Sequence, residues 1–257
     1  MIRIISGDYR RRQLKTPKDA TVTRPLTDRV RTALFNMLRG HLEDQTVLDA
    51  FAGVGSFGLE AASRGASEVV MIERDREIAS ILQQNIDDLG AGEICRVIKG
   101  DALGLSILSR CPRPVHIIFF DPPYPMILDP TQRDRIFGQF SRLTQLLDDE
   151  GFAILRTPWP VIDRVVDGKR YQGGPEQPDD DDEDDGRYPS ETAFTIDDFD
   201  DPEAAAIEGS LPEPKADVAQ PELGERVPMD LTIEGAEGPE THVYGSMAVH
   251  WYMKTRG

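Results

Sequence analysis

The stretch Asp121-Pro122-Pro123-Tyr124 directly follows the apolar, β-rich run Val115-His116-Ile117-Ile118-Phe119-Phe120. That run reads as a buried strand. An acid, two prolines and an aromatic then stand at its C-terminal end, the edge of an open α/β sheet where ligands bind. The prolines cannot continue a central strand and impose a stiff turn, so the carboxylate and the ring are presented rather than packed away. A carboxylate acceptor beside an aromatic face suits a planar group with an exocyclic amine, such as a nucleobase. The competing reading is a strand-to-loop turn with a surface tyrosine, and a second motif weighs against it.

Thr46-Val47-Leu48-Asp49-Ala50-Phe51 is a strand that runs into Ala52-Gly53-Val54-Gly55-Ser56-Phe57-Gly58 and then a helical Leu59-Glu60-Ala61-Ala62. Glycines let the backbone turn sharply and approach a ligand with no Cβ in the way. Taken literally, Gly53-x-Gly55-x-x-Gly58 is the dinucleotide fingerprint. Two features argue against a nicotinamide cofactor. Asp49 lies within the strand, where a dinucleotide site shows apolar residues, and no pyrophosphate accounts for Asp121 and Tyr124. An acid beside the loop suits a cofactor with a positive end, the ammonium and sulfonium of S-adenosylmethionine. Asp49, Phe51, Gly53, Gly55 and Gly58 are the expected contacts.

The next acid falls where a nucleoside needs it. Glu68-Val69-Val70-Met71-Ile72 is a strand ending at Glu73, twenty residues beyond Gly53. A carboxylate after the second strand of a βαβ unit hydrogen-bonds ribose hydroxyls. A third strand, Ile94-Cys95-Arg96-Val97-Ile98, leads to Gly100-Asp101-Ala102. Asp101 is then placed to accept from an adenine amine, with Ala102 and Ile107 or Leu108 against the ring. Gly-Asp pairs also make ordinary turns, and a strand-end Glu facing solvent is common.

Together, Asp49-Ala50-Phe51-Ala52-Gly53-x-Gly55-x-x-Gly58-x-Glu60, Glu73 and Asp121-Pro122-Pro123-Tyr124 resemble a class I, S-adenosylmethionine-dependent amino-group methyltransferase. A further block, Arg24-Pro25-x-Thr27-Asp28-Arg29-Val30-Arg31-x-x-Leu34-Phe35-Asn36, with the opening Arg3-Ile4-Ile5-Ser6-Gly7, is similar to the bacterial RsmD-type methyltransferases. These modify the exocyclic N2 amine of one guanine in 16S ribosomal RNA. The resemblance covers about residues 2–160 and returns at Tyr244-Gly245-Ser246. It implies that Asp121, Pro122 and Tyr124 are catalytic and that Arg24, Thr27, Asp28, Arg29 and Arg31 border the target pocket. It also implies 16S ribosomal RNA as partner, naked or in the assembling small subunit; the chain itself reads as a cytoplasmic, monomeric protein. The alternatives are an amino-methyltransferase acting on DNA adenine or cytosine, and a non-enzymatic RNA-binding relative.

The net charge of −17 is unevenly spread. Residues 171–228 carry 19 acids and 3 bases, leaving 27 acids and 26 bases elsewhere. Residues 1–40 hold ten Lys or Arg against three Asp, a local basic footprint of the kind RNA phosphates require. Arg10, Arg11 and Arg12 are its densest run. The competing reading is a solvated basic arm. No run of about 18 apolar residues suggests a membrane span. Two cysteines and four scattered histidines show neither a disulfide framework nor metal-ligand spacing.

Strands alternate with helices to about residue 160, the pattern of a parallel sheet covered on both faces. The expected fold is therefore α/β, a Rossmann-like methyltransferase sheet with helices on both faces and an antiparallel C-terminal hairpin. Residues 1–40 form a basic extension and first helix, with Val30, Ala33, Leu34, Met37 and Leu38 as its buried stripe and Arg29 and Arg31 off it. Residues 41–170 form the cofactor-binding catalytic domain. Residues 171–228, with an acid run and eight of nineteen prolines, read as a disordered insertion. Residues 229–257 complete the catalytic domain, Met229–Glu234 and Met247–Met253 being the expected hairpin strands.

Overall fold

The computed structural model describes residues 2–17, 28–166, 169–170 and 225–256. Its centre is a seven-stranded sheet. In chain order the strands are β3 (Thr46–Asp49), β4 (Glu68–Glu73), β5 (Cys95–Lys99), β6 (Val115–Phe120), β7 (Leu147–Pro158), β11 (Ala236–Tyr244) and β12 (Met247–Lys254). Their spatial order is β11-β12-β7-β6-β3-β4-β5. Strands β3 to β7 pair in parallel, and β12 and β11 close the edge antiparallel. The strand order reverses between β3 and β6, so a crevice opens outside their carboxyl ends.

Both faces are covered, which is why the central strands read as unbroken apolar runs. Successive residues alternate between two cores. Val47, Val69, Ile117, Phe119 and Ile154 face α1 (Asp28–Met37), α2 (Gly58–Ser63) and α3 (Arg76–Leu89). Leu48, Val70, Ile118, Phe120 and Leu155 face α5 (Pro130–Thr144) and Ile127 of α4 (Tyr124–Leu128). The helix ends are written locally. Asp75 caps α3 by accepting from the backbone N–H of Glu77 and Ile78, and Gly90 stops it with a left-handed φ of 71°. Asp129 caps α5, with Pro130 in its first turn.

Before α1, β1 (Ile2–Arg3) and β2 (Gln13–Leu14) form a two-stranded ribbon. It is fastened by the fully buried Glu60, whose carboxylate accepts from Ile5 N at 2.6 Å and Ser6 N at 3.1 Å and pairs with Arg64.

Three sequence expectations change. The buried face of α1 is Arg31, Leu34 and Phe35, whereas Met37 is 39% exposed. Arg31 was expected off the buried stripe. It is buried because the Arg3 carbonyl and the Asp28 carboxylate supply acceptors for its guanidinium. The first hairpin strand is β11, not residues 229–234. Met229 and Ile233 reach the core from a segment without regular secondary structure, so their apolar pattern mimics a strand. The true strand is a half-exposed edge interrupted by Gly238-Pro239, with little apolar alternation to betray it. Finally, Glu225–Pro228, expected within the disordered insertion, is a strand (β10) paired antiparallel with β8 (Ile162–Val166), which also pairs β9 (Lys169–Arg170). The rest of the expected insertion, residues 171–224, lies outside the described residues.

Candidate active site

The sheet brings four strand ends to one edge. Asp49 closes β3, Glu73 closes β4, Asp101 follows β5 and Asp121 follows β6. Asp49 is rung partner of Phe119, so its carboxylate and that of Asp121 lie on neighbouring strands.

Asp49 has no solvent exposure. Its Oδ2 accepts from Gly58 N at 3.0 Å, tying the strand end to the first turn of α2. Its Oδ1 is buried with no partner of good hydrogen-bond geometry among the described residues. Burial pushes the carboxyl up to about 7, and the charges of Asp121 and Glu73 push the same way.

The three loop glycines do different work. A Cβ on Gly55 would sit 2.6 Å from Leu82 Cδ1, and one on Gly58 would sit 2.6 Å from Met71 Sδ, so both are demanded by packing. Gly53, at φ 54°, faces open space, and a Cβ placed there would meet nothing within 4 Å. It is the glycine that a ligand can approach. Glu73 holds it there, Oε2 accepting from Gly53 N at 2.9 Å while Oε1 accepts from Asp75 N at 2.7 Å. An open cleft of ≈ 540 Å³ lies beside Glu73, lined by Arg74, Arg76, Lys99 and Gly100. Phe51 sets its ring edge-on to Phe120, with centroids 5.0 Å apart.

Asp101 Oδ1 accepts from Leu103 N at 3.0 Å and so shapes its own turn. The buried Gln139 of α5 reaches over and donates to the carbonyl of Ala102 at 2.9 Å. Ile107 is buried in the same core as Ala102. Gln139 carried no signal in the sequence beyond a polar residue on an apolar helix face.

Asp121 keeps 16% side-chain exposure, and Pro122 beside it is buried. Pro123 precedes α4, whose first residue is the half-buried Tyr124. Arg156 near the end of β7 binds both features. Its Nε donates to Asp121 Oδ1 at 2.5 Å, and its guanidinium carbon lies 5.1 Å from the Tyr124 ring centroid. Arg156 was not among the expected site residues. The signal was there: an arginine ending the apolar run 152–155 on the strand that pairs with β6.

The expected RNA-contacting residues do not form one group. Arg10 and Arg11 are exposed on the turn between β1 and β2. Arg12 is turned to α3, Nη2 donating to the Asp88 carbonyl at 2.5 Å. Arg29 is exposed; Asp28 pairs with Arg3 at 2.9 Å and with Arg31 at 3.0 Å. Arg24 and Thr27 lie outside the described residues.

The profile of the family described as "Conserved hypothetical protein 95" matches residues 2–155. The chain belongs to that family. Its membership bears out the resemblance to RsmD-type methyltransferases. The chain is 45% identical over 123 residues to "Ribosomal RNA small subunit methyltransferase D" of Escherichia coli K12. That stretch is 48% of this chain and 60% of the relative, so the match spans under two thirds of the relative's length. A "Putative rRNA methyltransferase YlbH" of Bacillus subtilis is 31% identical over 179 residues, covering 67% of this chain and 94% of the relative. Among solved structures, a "Putative methyltransferase yhhF" of Escherichia coli superimposes with a TM-score of 0.60 at 26% identity, over 98% of this chain and 97% of its own. The fold is thus the Rossmann-like, mostly parallel sheet of class I methyltransferases with an antiparallel C-terminal hairpin.

Proposed function

We propose that this chain methylates the exocyclic N2 amine of a guanine in 16S ribosomal RNA, using S-adenosylmethionine. The observation that carries the reading is the placement of Asp121-Pro122-Pro123-Tyr124 next to the Gly53 loop at the switch point of the sheet. An amine acceptor and a cofactor cradle there share one crevice. The name of the Escherichia coli relative supplies the ribosomal RNA of the small subunit as the substrate class.

The residues fit the cofactor. Gly53 opens onto free space, Glu73 is fixed at its side, and Asp49 Oδ1 is a buried acceptor with no partner of good hydrogen-bond geometry among the described residues. Asp49, Phe51, Gly53 and Glu73 would hold it, with Asp101 and Ala102 at the base. Gly55 and Gly58 shape the loop rather than touch the ligand. When bound, S-adenosylmethionine supplies a methyl group made electrophilic by its sulfonium.

The chain's own task is to present a nitrogen whose lone pair is delocalised into a base. Asp121 and the Pro122 carbonyl accept the two amine hydrogens, which draws the nitrogen towards tetrahedral geometry and stabilises positive charge as it develops. Tyr124 offers a face for the base, which must leave its stack to reach the crevice. Positioning of this kind supplies on the order of 7–11 kcal/mol. Arg10, Arg11 and Arg29 are exposed cations available to RNA phosphate. Residues 41–170 with 229–257 serve as the catalytic domain of a cytoplasmic, monomeric enzyme, and the acidic stretch serves solubility.

The test is methylation with radiolabelled cofactor of naked 16S ribosomal RNA, small subunits from a deletion strain, DNA and protein. Label in ribosomal RNA at N2 of one guanine is expected. Label in DNA, or no transfer to any pool, would overturn the reading.

A further inference from the structure

Arg156 has a position that neither the cofactor nor the amine-acceptor reading requires. It follows Leu155, the rung partner of Phe120, so β7 delivers it beside the residue that ends β6. Its side chain is 17% exposed and it lines an apolar recess with Leu34, Phe57, Ile154 and Val249. A guanidinium in such surroundings needs a fixed acceptor. Asp121 is its ion-pair partner among the described residues, through Nε at 2.5 Å. The same guanidinium covers the Tyr124 ring. One cation thus touches both side chains that the target base must use.

We propose that Arg156 is a positioning residue of the acceptor site, holding the Asp121 carboxylate in its ionised, accepting form and covering the Tyr124 ring until the base enters. This rests on the amino-methyltransferase reading above. The chemistry demands such a partner. A protonated Asp121 presents a hydroxyl to an amine and accepts fewer of its hydrogens. Burial drives Asp121 towards that form, raising its carboxyl above the ordinary range, while the charge and hydrogen bond of Arg156 press it back. The other titratable groups facing this point work the other way or not at all near neutrality. The charge of Asp121 helps raise the Asp49 carboxyl on β3, and burial holds the Tyr124 hydroxyl above its usual value. Arg156 is therefore the group that keeps the acceptor open. A planar guanidinium also suits the ring face, where it is exchanged for the planar base.

The experiment pairs a pH profile of turnover with a direct titration of Asp121. In R156Q, the acid limb of the kcat profile moves up by about one pH unit or more, a loss of about tenfold on that limb. The Asp121 carboxyl, followed by carbon NMR in the cofactor-free protein, moves up with it. Cofactor affinity stays put. R156K keeps a charge without the planar fork and falls between the two. A limb and an Asp121 titration that coincide with wild type in R156Q, or in R156K should the glutamine protein not fold, overturn the proposal. The titration is independent of substrate, so wild-type protein that methylates nothing sinks the functional reading while leaving the Arg156–Asp121 coupling measurable.

Discussion

Glu73 and Gly53 stand twenty residues apart in the chain, yet Glu73 Oε2 accepts the Gly53 N–H at 2.9 Å. The end of one strand therefore sets the loop that leaves the next. Glu73→Ala should weaken S-adenosylmethionine binding by about tenfold to a hundredfold, the worth of charge-assisted hydrogen bonds. Part of that loss comes from the loosened loop, so Glu73→Gln, which keeps an acceptor, should lose less. Calorimetry giving an unchanged dissociation constant in the alanine variant would remove Glu73 from the cofactor site.

Asp121→Ala should lower turnover by about 10²–10³-fold, as removal of a preorganised electrostatic contact does elsewhere. Cofactor affinity should hold, since Asp121 addresses the amine. Single-turnover rates near wild type would end the acceptor role.

The buried Asp49 makes stability depend on pH in a definite direction. With its carboxyl held at about 7, the native state keeps a proton that the unfolded chain releases near 4. Stability of the cofactor-free protein is full below that lower value and falls as pH rises towards 7, by up to ~4 kcal/mol. Asp49→Asn should remove this dependence, so the variant gains on wild type between pH 5 and pH 8 in urea denaturation. Parallel curves for the two proteins would show that Asp49 titrates normally.

The basic N-terminal residues separate into two groups with different consequences. Charge reversal at Arg10 and Arg11 should weaken RNA binding and reduce its salt slope by roughly 0.7–0.9 per lost phosphate contact. Arg12, already bonded to the Asp88 carbonyl, should chiefly affect thermal stability when changed to alanine. Equal salt slopes in wild type and the double reversal would place the RNA surface elsewhere.

Replacing residues 171–224 with a short Gly/Ser linker should leave the melting temperature unchanged or slightly raised. Loop-closure entropy grows slowly with length, about 0.6 kcal/mol per doubling. RNA affinity should rise at low salt, because most of the chain's negative charge is removed, and the gain should vanish as salt screens it. A deletion that unfolds the protein would show that the segment is part of the core.

The central sheet was legible because both its faces are buried. Val47, Leu48, Ile117 and Ile118 had to be apolar on every position, which marks a strand without ambiguity of face. The site was legible where backbone constraint writes a residue type, as at Gly53 and the Pro122-Pro123 turn. Two features were hidden because they depend on partners distant in sequence, and a third because it lies at the sheet edge. Arg31 is buried only because Arg3 and Asp28 meet it, and Arg156 matters only because β7 lies against β6. The β11 strand is an edge, so its polar residues satisfy the ladder without leaving an apolar pattern.

The ladder between β8 and β10 bears on how such a chain changes over generations. Glu225 is the rung partner of Val165, so the backbone returns to the place it left. The two ends of the intervening sequence are stitched together by β8 and β10, outside the sheet that carries the crevice. Asp49, Glu73 and Asp121 stand at strand ends of the seven-stranded sheet, whereas β8 and β10 belong to a separate three-stranded ladder. A folded reporter inserted between residues 170 and 225 is therefore expected to ride as cargo, a port whose occupant leaves turnover close to that of the parent enzyme.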